Sequence, residues 1–363
     1  MGYSIKRMVR FRRLSTLAVL ALACTAGASG AERVWGPFRG ANSPPTLTEE
    51  DVRYFSALGG NLLRIVNNSR PLMNKQEPYG LDEDNFALLD RVIGYCEKYH
   101  VRVVIDPHTT PGTEQTTTTH PTDAFWSDFA MQQHLIRLWD HIAHRYGARG
   151  EVIAGYDLLN EPAIPNGGAA GTAADWNLLV RKLIKSIRAA DKTHTIIVEP
   201  PTIRTPEGKS INRLLGMSYL EPPPDTNVVY SPHMYEPHEF THQGVQGRPE
   251  PFSYPGTIRN REWNRKTVEE TLQPVVDFQR KFRAPIFLGE FSAPRWRGED
   301  ANRYLRDVIE VCEAHGWSWA YHSYREWEGW DAERSNTDRN DRERKPTTPR
   351  LELLKSYFTR NAR

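Results

Sequence analysis

The chain of 363 residues has few cysteines and no long apolar run. Its three cysteines, Cys24, Cys96 and Cys312, are too few and too widely spaced for a disulfide framework or a zinc-binding cluster. No apolar run reaches the roughly 18 residues expected of a transmembrane helix. These absences predict a soluble globular protein whose stability depends on an ordinary hydrophobic core.

The first thirty residues have the composition of a secretory signal peptide. A basic start is followed by an apolar stretch from Leu14 to Ala23 and then by small residues. We assign residues 1–30 to the signal and expect residues 31–363 to be exported, either secreted or periplasmic. Two other routes stay open, because Arg12-Arg13 is a weak twin-arginine signal and Cys24 is a poor lipid-attachment site.

The exported part of the chain has no excess of charge. Residues 1–30 hold five of the 47 Lys and Arg residues and none of the 45 Asp and Glu residues, so 42 basic side chains face 45 acidic ones. The run from Arg334 to Lys345 mixes both signs and is typical of a solvated loop. We therefore expect no nucleic-acid partner and, after signal cleavage, no membrane partner.

Predicted strands and helices alternate along the whole exported chain. Eight strands with intervening helices in about 330 residues fit a single (β/α)8 TIM barrel with extended βα loops, in the α/β class. A doubly wound open sheet is the alternative, disfavoured because no glycine-rich phosphate turn follows the first strand. Cys96 and Cys312 lie on separate helices, so both should be buried free thiols. The strands are predicted at Val34–Phe38, Asn61–Val66, Val101–Asp106, Ile153–Leu158, Thr195–Glu199, Val228–Ser231, Ile286–Gly289 and Trp317–Tyr321. The helices are predicted at Thr48–Leu58, Asp84–Tyr99, Ala124–Tyr146, Ala174–Ala190, Thr267–Phe282 and Asp300–His315.

Polar and aromatic side chains collect at the carboxyl ends of these strands, where a parallel barrel carries its active site. Glu161 follows strand four in an Asn-Glu-Pro sequence, and Glu290 follows strand seven in a Gly-Glu sequence. Each residue alone would more often be structural, but their coincidence at several strand ends favours a site. The further candidates at strand ends are Arg64, His108, Asn160, His233, Tyr235, His322 and Trp327.

Two glutamates at such a face can cleave a glycosidic bond. One must stay protonated to donate to the departing oxygen, and the other must be ionised to meet the oxocarbenium-like centre. Arg64 beneath Glu290 would favour its carboxylate, and Tyr235 could donate a hydrogen bond to it. Asn160 could hydrogen-bond the sugar 2-hydroxyl.

In order and spacing, these motifs resemble glycoside hydrolase family 5, the cellulase-type family, over nearly all of the exported chain. The resemblance implies that Glu161 is the general acid/base and Glu290 the nucleophile of a retaining double displacement, with the two carboxyl groups roughly 5–5.5 Å apart. It also implies which residues line the −1 sugar site: Arg64, His108, Asn160, His233 and Tyr235. The matching motifs are Leu63-Arg64-Ile65, Asp106-Pro107-His108, Asn160-Glu161-Pro162, His233-Met234-Tyr235 and Gly289-Glu290.

One position departs from the family pattern. The tryptophan that usually forms the floor under the −1 sugar is replaced by His322, and Trp327 is a candidate to take over that role. The long segment 236–264 is expected to wall one side of the cleft, which suits a β-linked polysaccharide or oligosaccharide. We expect an endo-β-1,4-glucanase, with a β-mannanase or a β-1,3-glucanase of the same family as alternatives.

Two alternatives from other classes stay open. One is a barrel that binds carbohydrate without cleaving it, which both glutamates disfavour. The other is a metal-dependent hydrolase, disfavoured because the predicted first strand lacks a His-x-His pair. We expect a monomer that needs no metal and no cofactor. The histidines available to that metal alternative are His108, His120, His233, His238 and His242.

Overall fold

Eight short parallel strands form the centre of the fold. The computed structural model describes residues 35–113 and 119–361. The strands lie in the order β7-β8-β1-β2-β3-β4-β5-β6, and Tyr230 at the end of β6 bridges to Ile286 just before β7, which closes the ring. The structure is therefore the expected TIM barrel. The strands are β1 (Arg39–Ser43), β2 (Leu62–Val66), β3 (Arg102–Asp106), β4 (Ile153–Asp157), β5 (Thr195–Val198), β6 (Val228–Tyr230), β7 (Phe287–Leu288) and β8 (Ser318–Tyr321).

Amphipathic helices surround the strands, and polar residues fix where they begin. Thr48 accepts a hydrogen bond from the backbone of Asp51, whose side chain accepts one from the backbone of Thr48, a capping box that starts the first helix. The side chains of Asp128 and Asp175 cap two later helices by accepting hydrogen bonds from the backbone of Ala130 and of Leu178. The helices are α1 (Glu49–Ala57), α2 (Glu83–Lys98), α3 (Phe129–Tyr146), α4 (Trp176–Ala190), α5 (Arg213–Gly216), α6 (His238–Thr241), α7 (Arg265–Phe282), α8 (Gly298–His315) and α9 (Pro349–Phe358).

The predicted first strand, Val34–Phe38, was wrong: β1 is Arg39–Ser43. Val34 lies outside the described residues, and the apolar Trp35 and Phe38 pack instead against the bottom layer of the barrel. The true strand has no apolar run to reveal it. At Gly40 a side chain cannot fit, because its Cβ would lie 2.1 Å from the backbone oxygen of Leu62.

The other predicted strands are confirmed to within about two residues at each end. The helix predicted from Ala124 begins instead at Phe129, because Asp128 caps it and residues 124–126 form a separate 3-10 turn. Helices α5, α6 and α9 were not predicted. Cys96 and Cys312 are both buried and free, as expected.

The predicted signal, residues 1–30, lies outside the described residues. Among the residues that the structure describes, no helix combines the length and apolarity that crossing a membrane requires.

A small three-stranded sheet joins the loops that follow β4 and β5. Residues Ala163–Ile164 pair in parallel with Thr202–Arg204, which pair in turn with Ser210–Ile211. The sheet therefore ties the segment just after Glu161 to the segment just before α5.

Candidate active site

Glu161 and Glu290 lie side by side at the carboxyl end of the barrel. The short pairing of His233–Met234 with Glu290–Phe291 sets His233 directly opposite Glu290. His233 Nδ1 lies 3.0 Å from Glu161 Oε1 and 3.7 Å from Glu290 Oε2. One oxygen of each glutamate and one nitrogen of His233 all lie within 4.8 Å of one another. Glu161 holds a φ of 44°, in the left-handed region that non-glycine residues rarely adopt and that is enriched at functional sites.

Three side chains donate hydrogen bonds to the carboxylate of Glu290. Arg64 Nη1 lies 2.7 Å from Oε1, while Tyr235 OH and His322 Nδ1 lie 2.9 and 3.0 Å from Oε2. Burial alone would raise the pKa of Glu290, but the charges of the surrounding groups, among them His322 and Arg64, hold it well below its usual range. Glu290 is therefore ionised at neutral pH.

Arg64 lies at the centre of a buried network that the sequence only partly predicted. It is fully buried, so it supports the cavity from behind rather than lining its wall. Besides Glu290, its guanidinium contacts three carboxylates and two amides. Burial raises the pKa of Asp157 and of Glu199 well above their usual values, so both favour the protonated form. The additional contacts of Arg64 are Asp106, Asp157, Glu199, Asn42 and Asn160.

The surroundings of Glu161 differ from those of Glu290. Its backbone N–H donates to Glu199 Oε2 at 2.8 Å, which fixes the chain at this point. Its side chain faces the cavity, where Oε1 contacts both His233 and the guanidinium of Arg213. Burial lowers the pKa of His233 to about 3, so this imidazole is neutral. The network thus fixes Glu290 from below, whereas Glu161 is held at the rim.

The structure brings the predicted site residues together around one cavity of about 670 Å³. His108 lies against Asp106, with its backbone N–H 2.8 Å from Oδ1 and its ring Nδ1 2.7 Å from Oδ2. Every predicted residue except the buried Arg64 lines this cavity. Those lining residues are His108, Asn160, Glu161, His233, Tyr235, Glu290, His322 and Trp327.

His322 lies where the family resemblance places a tryptophan, and it is held between two acids. Its Nδ1 faces Glu290, and its Nε2 lies 2.8 Å from Glu326 Oε2. Burial would lower the pKa of His322, but Glu290 and Glu326 together raise it to about 10. The ring is therefore an imidazolium at neutral pH, and it packs edge-on against Trp330 at 4.9 Å. Trp330 also stacks on Tyr235, while Trp327 contacts Trp330.

Sequence reasoning missed Asn42, Asp157, Glu199, Asp106 as a network member, and Arg213. Asp106 and Glu199 each come two positions after a buried apolar residue, Val104 and Ile197, and that spacing would have indicated them. Asn42 and Asp157 come two positions after glycines and leave no such signal. Arg213 follows a loop with no such pattern.

The two glutamates and His233 are residue types that bind metal ions, but neighbouring arginines already balance the charge of the glutamates. In residues 35–113 and 119–361, the one group able to hold an ion is Glu161, His233 and Glu290, which includes only one of the five histidines considered above. Arg64 and Arg213 already contact oxygens of the two glutamates. A further cation would meet those guanidinium charges, so the arrangement suits proton transfer better than metal binding.

Comparison with known proteins finds relatives along most of the chain. Endoglucanase C of Acetivibrio thermocellus is 24% identical over 320 residues, covering 81% of this chain and 87% of the relative. Cellodextrinase A of Ruminococcus flavefaciens is 26% identical over 274 residues, covering 74% of this chain and 76% of the relative. The crystal structure of a hyperthermophilic endo-β-1,4-glucanase in complex with substrate superposes with a TM-score of 0.67 at 19% identity, covering 88% of this chain and 97% of that one.

A family model also matches most of the chain. The sequence model of cellulase, glycosyl hydrolase family 5, matches residues 26–328. That range contains both glutamates, all eight strands and the whole Arg64 network. The chain therefore belongs to glycoside hydrolase family 5 and is an O-glycosyl hydrolase.

Proposed function

We propose that this protein is an exported endo-β-1,4-glucanase that works by retaining double displacement, with Glu290 as nucleophile and Glu161 as general acid/base. The observation that carries the proposal is the difference between the two neighbouring carboxyl groups. Glu290 is fixed and ionised by Arg64, Tyr235 and His322, whereas Glu161 faces the cavity. Two carboxyl groups within reach of one glycosidic bond, in unlike environments, can divide the two roles.

In the first step, Glu290 attacks the anomeric carbon while Glu161 donates its proton to the departing glycosidic oxygen. The bond from the anomeric carbon to that oxygen breaks, and a glycosyl ester on Glu290 forms. In the second step, Glu161 accepts a proton from water, whose oxygen attacks the anomeric carbon and releases Glu290. The separation of less than 4.8 Å between oxygens of the two glutamates supports this route, because inverting enzymes need room for water between their carboxyl groups.

The other residues lining the cavity would bind the −1 sugar. Asn160 accepts a hydrogen bond from Arg64 at 2.9 Å, which orients its amide nitrogen away from that contact. Asp106 fixes His108. Tyr235 donates to Glu290, and burial raises the pKa of its phenol well above the usual value, so it keeps its proton. His322 and Trp327 would form the polar and aromatic parts of the floor.

The preference for β-1,4-glucan rests on the relatives, several of which are named as endoglucanases. Export rests on the composition of residues 1–30. A β-mannan substrate is the main alternative, since a shorter match of 202 residues is to a mannan endo-1,4-β-mannosidase of Cellvibrio japonicus.

The direct test is release of reducing ends by residues 31–363 from carboxymethylcellulose, mixed-linkage β-glucan, laminarin and glucomannan, with and without EDTA. We expect cleavage of the β-1,4-glucans, unaffected by EDTA, with early release of long products. Glu290→Gln prepared in parallel is the control for contaminating activity. Activity lost with EDTA would contradict the two-carboxylate mechanism, and cleavage of glucomannan alone would replace glucan by mannan.

A further inference from the structure

The contact between Arg213 and Glu161 sets a problem for the proposed mechanism. A general acid must carry a proton when the leaving group departs. A guanidinium beside a carboxylate favours its ionised form. Arg213 contacts Glu161 Oε1, and its side chain is 24% exposed at the cavity wall. Efficient acid catalysis therefore requires another anion to draw Arg213 away from Glu161.

Secondary structure fixes the position of Arg213. The residue begins helix α5, and the side chain of Asn212 caps that helix by accepting from the backbone of Leu215. The helix packs closely on the preceding loop, because a Cβ at Gly216 would lie 1.9 Å from the oxygen of Pro201. The three-stranded sheet described above joins this loop to the segment after Glu161. The guanidinium is thus set beside the acid by the fold.

A second guanidinium, Arg248, lines the same wall. Its Nη1 lies 2.8 Å from His238 Nδ1, and among the described residues Arg248 takes part in no ion pair. His238 stacks on His242 with 3.8 Å between ring centres. Burial, together with the nearby charges of Arg213 and Arg248, lowers the pKa of both histidines, that of His242 to about 2. The two arginines therefore face a pair of neutral rings and supply the positive charge of this wall.

We propose that the natural substrate is an acidic β-glycan whose leaving-group sugar carries a carboxylate, and that this carboxylate binds Arg213 and Arg248. The inference rests on the proposed role of Glu161 as acid/base. Arginine binds carboxylates in a bidentate way, which suits it to this recognition. When the carboxylate binds, Glu161 loses its cationic partner and gains a neighbouring anion. Both changes favour the protonated form that acid catalysis needs. Arg213 is then a specificity-determining residue.

The test compares two oligosaccharides of the backbone that the enzyme cleaves: one neutral, and one with a C6 carboxylate on the sugar at the leaving-group side. We expect kcat/KM to be about tenfold higher for the acidic one, as charge-assisted hydrogen bonds predict, and the preference to shrink with added NaCl. In Arg213→Gln, the acidic substrate should lose that advantage, while the neutral substrate should react faster because Glu161 no longer faces a guanidinium. Arg248→Gln should reduce the preference in part.

Arg342→Gln is the matched control, since Arg342 also lines the cavity but pairs at 3.3 Å with Glu328. It should leave the acidic preference in place. The proposal would be overturned by equal kcat/KM for both oligosaccharides, or by an Arg213→Gln variant that loses activity equally on both. In either case, cleavage of the neutral oligosaccharide would leave the glucanase assignment intact. If neither is cleaved, the glucanase assignment fails. Calorimetric binding of both oligosaccharides to Glu290→Gln then decides: tighter binding of the acidic one supports the proposal, and equal binding overturns it.

Discussion

The lower and upper halves of the barrel interior are built on the same strands and have opposite chemistry. Near the bottom, Leu62, Val104 and Ile197 belong to a buried apolar cluster closed by Trp35 and Phe38. Two residues further along the same strands, and pointing the same way because side chains alternate, the chain places charged groups. Those upper partners are Arg64, Asp106 and Glu199.

Within a single strand, the lower residue therefore contributes mainly to stability and the upper residue contributes to the active site. The lower layer gains free energy by removing apolar surface from water. In the upper layer, each buried charge is costly unless it is paired, so Arg64 and its acids depend on one another. Changes in the lower layer should therefore affect the free energy of unfolding, whereas changes in the upper layer should affect activity as well.

The largest effect is expected for Glu290→Gln. The amide keeps the size of the side chain but cannot act as a nucleophile, so kcat should fall on the order of 10⁴-fold. The fold should stay intact, with a lower melting temperature because Arg64 loses a buried anionic partner. Initial rates on the polysaccharide that the wild type cleaves measure kcat. Circular dichroism measures the melting temperature and checks that the variant is folded. A variant with near-normal turnover would rule out Glu290 as nucleophile.

Two substitutions on strand β2 perturb the upper and the lower layer separately. Arg64→Met removes the cation from a group of buried carboxylates and should destabilise the fold by about 3–5 kcal/mol. It should also lower kcat about a hundredfold or more, because Glu290 loses a donor. Denaturant unfolding and kcat per folded molecule are the measurements.

Leu62→Ala is the matched control in the lower layer. The cavity it leaves should cost about 2–5 kcal/mol, similar to the cost of Arg64→Met. Its kcat should stay within about twofold of the wild type, since the reacting groups are untouched. If Leu62→Ala lowered kcat as strongly as Arg64→Met, the separation of the two layers would be wrong.

The sequence predicted the lower layer and the two glutamates because both leave a local pattern. Apolar runs of strand length indicated seven strands, and Asn-Glu-Pro and Gly-Glu indicated the site. Strand β1 could not be found in this way, because its inward positions hold Gly40 and Asn42 rather than apolar residues. The position of Arg213 depends on a small sheet and a four-residue helix whose pairing is not encoded by periodicity.

A smaller effect, which depends on pH, is expected for His322. The pKa of His322 is raised to about 10 in the folded protein, above the roughly 6.5 of an unfolded histidine. Its contribution to stability is therefore complete below the unfolded value and is lost as pH rises through about 10. Between pH 7 and 10, the wild type should lose more thermal stability than His322→Gln. Parallel thermal melts across that range test this, and identical slopes would mean that the imidazolium is not formed.

The smallest effect is expected for Glu199→Gln. This variant tests whether the upper layer is partly neutral, as the lower layer is. Burial raises the pKa of Glu199, so the carboxyl group favours its protonated form, for which an amide is a close substitute. Below the unfolded pKa of roughly 4.3, both states are protonated and the free energy of unfolding should change by less than about 1 kcal/mol. Because the folded-state pKa is raised, the wild type loses stability as pH rises from the unfolded value towards the folded one, so the variant should gain relative to the wild type from mildly acidic buffer upward. A variant that instead loses several kcal/mol would mean that Glu199 is ionised and that its charge is needed to balance Arg64. The upper layer would then be a true ion network, whereas a small change would make it partly a neutral, hydrogen-bonded continuation of the core.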